Sequence, residues 1–179
     1  MKGIVFTEFL EHVGRKYGIE MMDFIIESSD LPSGGAYTAV GTYDHGELIA
    51  LVRNLGTAVG VPVPELFRNY GQHLFARFSV RYPQFFDGVT SCFDFLDRIE
   101  GHIHADVRKL YPDAELPSID VDWRTEDRIQ LFYSSTRPLA ALAEGLMRGA
   151  IAHFGETIAV RALDAAEDGT FIRFELTRS

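Results

Sequence analysis

The hydrophobic period of this chain changes once, near Pro117, and that single change restricts it to a mixed architecture. Before Pro117, apolar residues recur at helical spacing, as in Ile4, Phe6, Phe9, Leu10 and Val13, then Met22, Ile25 and Ile26. The same spacing continues through Leu48, Leu51, Val52 and Leu55, and through Leu66, Tyr70, Leu74 and Phe78. Breaks fall at residues 32–35, 60–64 and 82–83, where glycine freedom or proline's missing donor stops a helix. After Pro117 the pattern alternates, in Ile119 to Arg124 and in Ile129 to Tyr133, with 125–128 as the connecting turn of a hairpin. A helix from about Arg137 to Phe154 follows, with Leu139, Leu142, Leu146 and Ile151 on its apolar side. Two further strands are expected at Ile158 to Ala162 and Phe171 to Leu176. The expected class is α+β. A helical part over about 1–116 packs on an antiparallel sheet over about 117–179 that carries one long helix, all in one domain spanning 1–179.

Composition narrows the function classes. With 179 residues and 46% apolar content the chain can build a real core. No run of eighteen apolar residues is present, and Glu8 and Glu11 interrupt the start too early for a signal peptide. A soluble, cytoplasmic protein without membrane contact is expected. The lone cysteine, Cys92, can form neither an internal disulfide nor a multi-cysteine zinc site. A net charge of -9 argues against nucleic-acid binding, because a polyanion is repelled. No G-x-S-x-G, glycine-rich phosphate loop or H-E-x-x-H occurs, so no enzyme is expected.

Two groups of residues carry chemistry. The segment from about Ser91 to Leu110 reads as one helix with Leu96, Ile99, Ile103, Val107 and Leu110 as its buried stripe, flanked by His102 and His104. Periodicity alone does not choose between the histidines. His104 has Glu100 one turn before it and Tyr111 beyond it, whereas His102 shares an edge with Arg98, Asp106 and Lys109, which read as a solvated face. His104 is therefore the better metal ligand, since a neutral imidazole can bind iron. Both could equally be ordinary helix-surface histidines.

The second group is Tyr133, Ser135 and Arg137, at the end of the second strand. Alternation along a strand would project all three to one side. A planar guanidinium fork with two hydroxyls beside it suits a carboxylate or phosphate. The same segment also reads as a helix start, with Ser135 or Thr136 capping a helix whose first residue is Pro138.

In combination these motifs resemble the haem nitric oxide/oxygen binding (H-NOX) family, bacterial stand-alone relatives of the haem domain of soluble guanylate cyclase. The resemblance runs through Met1 to Phe6, Gly35-Ala36-Tyr37-Thr38, Gly41-Thr42-Tyr43, Tyr82 to Phe86, His104 to Pro117, Tyr133 to Arg137 and Glu144-Gly145-Leu146. It implies haem b (iron protoporphyrin IX) as cofactor, held between the helices and the sheet. It further implies His104 as proximal iron ligand, Tyr133, Ser135 and Arg137 at the propionates, and Pro117 pressing on the porphyrin. Without the resemblance, Pro117 reads as the end of a loop before a strand.

The resemblance also bears on gas choice. Oxygen on ferrous haem benefits from a distal hydrogen-bond donor, whereas nitric oxide does not need one. Aligned on the family motifs, the positions that supply the donor and its supports in oxygen-binding members hold Leu142, Phe9 and Leu74 here. Val5, Phe78 and Leu146 would extend this dry wall, and Gly71 would let a helix approach the haem. Tyr70 or His73 turning inward would add polarity. The implied function is a haem-based gas sensor that prefers nitric oxide over oxygen and also takes CO. A change in the iron bond to His104 would signal to a separate histidine kinase or cyclic-di-GMP synthase or phosphodiesterase. An oxygen sensor and a haem-free interaction module are the alternatives.

Overall fold

The computed structural model describes residues 1–179 and places the sheet and helices in the order α1 (Ile4–Tyr17), α2 (Ile19–Glu27), α3 (His45–Val59), α4 (Val63–Arg81), α5 (Cys92–Asp97), α6 (Ala105–Leu110), β1 (Ser118–Arg124), β2 (Arg128–Ser134), α7 (Ala140–Phe154), β3 (Ile158–Ala165) and β4 (Phe171–Arg178). The four strands are antiparallel in the order β1-β2-β4-β3, so α7 is the crossover between the two hairpins. The expected α+β class holds. Element starts follow local chemistry. Asp44 caps α3 by accepting from Gly46 N at 2.7 Å, and Gly60 ends that helix at φ 69. Ser91 caps α5 by accepting from Asp94 N at 3.2 Å.

Two apolar cores result, and their division does not follow the change of sequence pattern at Pro117. One core joins α1 to α4 through Phe6, Phe9, Ile25, Leu51, Leu55 and Tyr70, with Leu139 and Leu142 from α7 and its approach. The other joins the inner face of the sheet, through Ile129, Leu131, Phe174 and Leu176, to α5 and to Phe75 of α4. Helix α7 divides itself between the two, because Ala143, Met147 and Ala150 face the sheet. The α5 segment thus packs with the C-terminal sheet although its period is helical.

Helices α4 and α7 touch backbone to backbone. A Cβ added at Gly71 would lie 2.5 Å from the Leu142 carbonyl oxygen and 2.8 Å from Gly145 Cα, and one at Gly145 would lie 2.3 Å from the Arg68 carbonyl oxygen. Gly71 therefore serves helix packing on α7, and not the haem approach expected from sequence. The ion pair of Arg68 with Glu144, at 2.7 Å, borders this seam.

Tyr70 and His73 face into the helical layer. The Tyr70 hydroxyl donates to the Val5 carbonyl, and its ring meets Phe9 edge-on at 5.1 Å. His73 lies against His12 of α1 with ring centroids 4.3 Å apart, and its Nε2 is buried without a partner. Glu8 and Arg77, paired at 2.7 Å, lie near His73. Burial, then the neighbouring His73 and Lys16, lower His12 to about 4.

Two outcomes are expected. Gly71→Ala should destabilise the protein by about 1–3 kcal/mol, because backbone on α7 cannot swing aside as a side chain can; an unchanged thermal midpoint would show that the helices separate freely. The His12 linkage has a definite sign. Above pH 6.5 the group is neutral folded or unfolded, and below it the unfolded chain takes a proton that the native state resists. Stability should therefore fall between about pH 6.5 and about pH 4 and then level, and His12→Gln should flatten that fall in urea melts.

Candidate cofactor-binding site

Between the two cores lies a cavity of ≈ 320 Å³, in the range of small-molecule sites. Of its 35 lining residues 27 are hydrophobic, so a ligand there must be largely apolar. Val5 comes from α1, Leu74 and Phe78 from α4, Leu142 and Leu146 from α7, and Leu96, Ile99, Ile103, Val107 and Leu110 from the 92–110 segment. Leu110 is 61% exposed in spite of this, so it lies at the rim and not in the buried stripe expected for it.

The 92–110 segment is not one continuous α-helix. A π-helical turn over Ile99–His104 separates α5 from α6. The wider turn inserts a residue into the helical register, a device that re-aims side chains. Both Ile103 and His104 reach the cavity, whereas His102 is exposed. The His104 side chain is 12% exposed, and its Nδ1 lies 2.9 Å from Glu100 Oε2. The same carboxylate accepts from Ile119 N at 3.3 Å and from Arg108 Nη2 at 2.7 Å.

Protonation follows from this contact. Burial raises the Glu100 pKa, but hydrogen bonds from Arg108 and His104 outweigh it and leave the carboxyl below its usual range. An ionised carboxylate can only accept, so Nδ1 carries the proton. Burial lowers the His104 pKa against the pull of Glu100, which favours the neutral ring. The lone pair of a neutral imidazole protonated at Nδ1 is on Nε2. That nitrogen is the one free to ligate.

The polar end of the cavity is made by Tyr133, Ser135 and Arg137, all three on its lining, with Pro117 and Glu115 beside them. Tyr133 is buried at the end of β2, and burial raises its phenol above the ordinary value although Ser135 and Arg137 oppose the shift. Strand β2 stops at Ser134, so the three groups converge through a turn and not through alternation along a strand. Ser135 N donates to the Thr170 carbonyl at 2.7 Å, and Ser135 Oγ accepts from Arg137 N at 3.1 Å. The capping alternative is excluded, since α7 begins at Ala140 with Leu139 before it and no side-chain cap. Arg137 is only 7% exposed. Its Nη1 donates to the Glu115 carbonyl at 2.8 Å, and its Nη2 donates to the Glu115 carboxylate.

Of the distal positions taken from the resemblance, Val5, Leu74, Phe78, Leu142 and Leu146 line the cavity. Phe9 does not. It packs inside the helical core against Tyr70, one turn of α1 beyond Val5. Periodicity alone also left several lining residues unnoticed, among them Met1, Lys2, Phe75, Phe95 and Met147. Lys2 joins the rim through Asp113 at 3.0 Å and Thr42 at 2.9 Å, and backbone pairing of residues 1–4 with 39–43 brings that end there.

The donor set fits a haem. No three His, Cys, Asp or Glu side chains gather to hold a metal by themselves. A lone imidazole facing an apolar cavity can keep an iron only where a macrocycle fills the other equatorial positions. The guanidinium and hydroxyls at the opposite, polar end suit that macrocycle's carboxylates.

The haem-NO-binding family model matches residues 2–162. The Fe(II) unliganded H-NOX protein from K. algicida is 38% identical with a TM-score of 0.95, covering 100% of this chain and 97% of that one. The IWP-051-bound H-NOX from Shewanella woodyi, in the Fe(II)CO state, is 39% identical with a TM-score of 0.85 over 100% and 95%. An S. oneidensis H-NOX protein in the Fe(II)NO state is 27% identical with a TM-score of 0.92 over 100% and 99%. The soluble guanylate cyclase gcy-35 of Caenorhabditis elegans is 24% identical over 154 residues, which are 83% of this chain but only 22% of that relative's length. No helix here is long and apolar enough to cross a membrane. By the match over residues 2–162 and the shared fold, this chain belongs to the H-NOX family of haem-based gas-sensing domains.

Proposed function

We propose that this chain binds haem b with His104 as the proximal ligand and with Tyr133, Ser135 and Arg137 at the propionates, and that it senses nitric oxide in preference to oxygen. The observation that supports this most is the His104 imidazole on the cavity wall, tied at Nδ1 to Glu100 with Nε2 left free. A bound haem supplies an iron with one position open to a diatomic gas. Glu100 fixes the ring orientation and makes Nε2 the stronger donor. Arg137 and the two hydroxyls would orient the macrocycle, and Pro117, on the cavity lining, would press on it.

The gas preference comes from the walls. Val5, Leu74, Phe78, Leu142 and Leu146 carry no hydrogen-bond donor, so oxygen lacks the partner that would stabilise its developing charge. Tyr70 and His73 face away from the cavity, which leaves Tyr82, beside Phe78, as a tyrosine on the α4 side of the lining. The nitric oxide and carbon monoxide states of the Shewanella relatives support these two gases as ligands.

The protein acts as a sensor and not as a catalyst. His104 ends the π turn and precedes α6, and its carboxylate partner is hydrogen-bonded to β1 at Ile119. Releasing His104 from its ligand role would let the 99–110 segment and β1 shift together, a two-state bias of the kind sensors use. The output passes to a separate protein, for which the family resemblance favours a histidine kinase or a cyclic-di-GMP synthase or phosphodiesterase.

The test is the absorption spectrum of the purified, haem-supplied protein. Ferrous protein should respond to nitric oxide and stay unchanged in air. His104→Gly should lose haem unless free imidazole is supplied, whereas His102→Ala should keep it; the reverse would reassign the ligand. Leu142→Tyr should introduce a response to air while Tyr82→Phe changes nothing, and wild-type protein forming a stable oxygen complex would end the nitric oxide preference.

A further inference from the structure

The guanidinium of Arg137 already holds a carboxylate. It is 7% exposed, and Glu115 occupies it twice, with the backbone carbonyl on Nη1 at 2.8 Å and the side-chain carboxylate on Nη2. The two members of this pair differ sharply in surroundings. The Arg137 side chain is buried, whereas that of Glu115 is 77% exposed, so Glu115 can turn into water at little cost to its own charge once another anion takes its place on the guanidinium.

Chemically, the Glu115 carboxylate and a propionate are the same ligand for a guanidinium. Glu115 lies on the cavity lining two residues before Pro117, so it meets Arg137 from the cavity rim. An arginine at this depth cannot stand unpaired without a large penalty, and something must neutralise it before a cofactor arrives. Two propionates and Glu115 gathered on one guanidinium would leave excess negative charge.

We propose that Glu115 is an internal competitor for the Arg137 clamp: it pairs with the buried guanidinium in the haem-free protein and gives way to a propionate when haem binds. This rests on the Arg137 clamp assigned above. Glu115 then stabilises the empty protein and weakens its hold on haem, so it sets the exchange rate of the cofactor independently of the gas.

The experiment compares Glu115→Gln with the parent protein and with Arg137→Ala. Haem loss from the loaded protein is followed by transfer to excess apomyoglobin, and thermal midpoints are taken with and without haem. Glu115→Gln should slow haem loss by about threefold to tenfold, the range for a charge-assisted pair at a partly exposed site. It should also lower the midpoint of the haem-free protein while leaving that of the loaded protein unchanged or higher. Raising the salt concentration should narrow the difference in haem loss. Faster haem loss from Glu115→Gln would overturn the inference by making Glu115 a positioning residue for the clamp. Unchanged loss in Glu115→Gln alongside rapid loss in Arg137→Ala would overturn it too, and leave the clamp standing. Normal haem retention by Arg137→Ala would remove the clamp itself, and this inference with it.

Discussion

The Glu100 carboxylate is the contact on which the rest of the site depends. It reaches three partners from three parts of the chain: the His104 ring, the Arg108 guanidinium and the Ile119 backbone N–H. Because it is ionised it can only accept, which places the imidazole proton on Nδ1 and leaves the free lone pair on Nε2. Through Ile119 it also ties the 99–110 segment to the first strand. Position, tautomer and mechanical coupling of His104 thus follow from one side chain in a π turn. Both histidines lie in the π turn over Ile99–His104, with His104 half-buried on the cavity and His102 exposed.

The cavity exists because two apolar cores meet along α4 and α7 without merging. Gly71 and Gly145 bring those helices to backbone contact, so the seam is closed at one end and the space opens beyond it, where Leu74, Phe78, Leu142 and Leu146 line the wall. At the other end the polar groups are accommodated by pairing. Arg137 would be a costly buried charge on its own, and Glu115 neutralises it from the rim. Apolar walls and a paired cation at one edge are what an amphipathic macrocycle with two carboxylates requires.

Much of this was legible in the residues. The change of period at Pro117 separated helices from strands, and both hairpins fell within a few residues of where alternation placed them. Glu100 at one turn from His104 distinguished the two histidines, since a carboxylate and a buried stripe on the same side are local facts. Two expectations and one alternative reading failed for a common reason. Gly71 packs on α7, Phe9 packs inside the helical core, and Ser135 supports a turn instead of capping a helix. Each depends on which neighbour fills the space beside a residue, and spacing along one element carries no information about the element opposite.

The sequence by itself determined the element types, the residues able to ligate a metal or hold a carboxylate, and the kinship of the chain, because these depend on period, side-chain chemistry and motif spacing. Only the tertiary structure decided where one core ends and the other begins, that α5 belongs with the sheet, that Tyr70 and His73 turn away from the cavity, and that Glu115 reaches Arg137. Those outcomes arise from long-range packing. The partner of a buried group is chosen by shape and charge among elements far apart in the chain, and no local pattern encodes that choice.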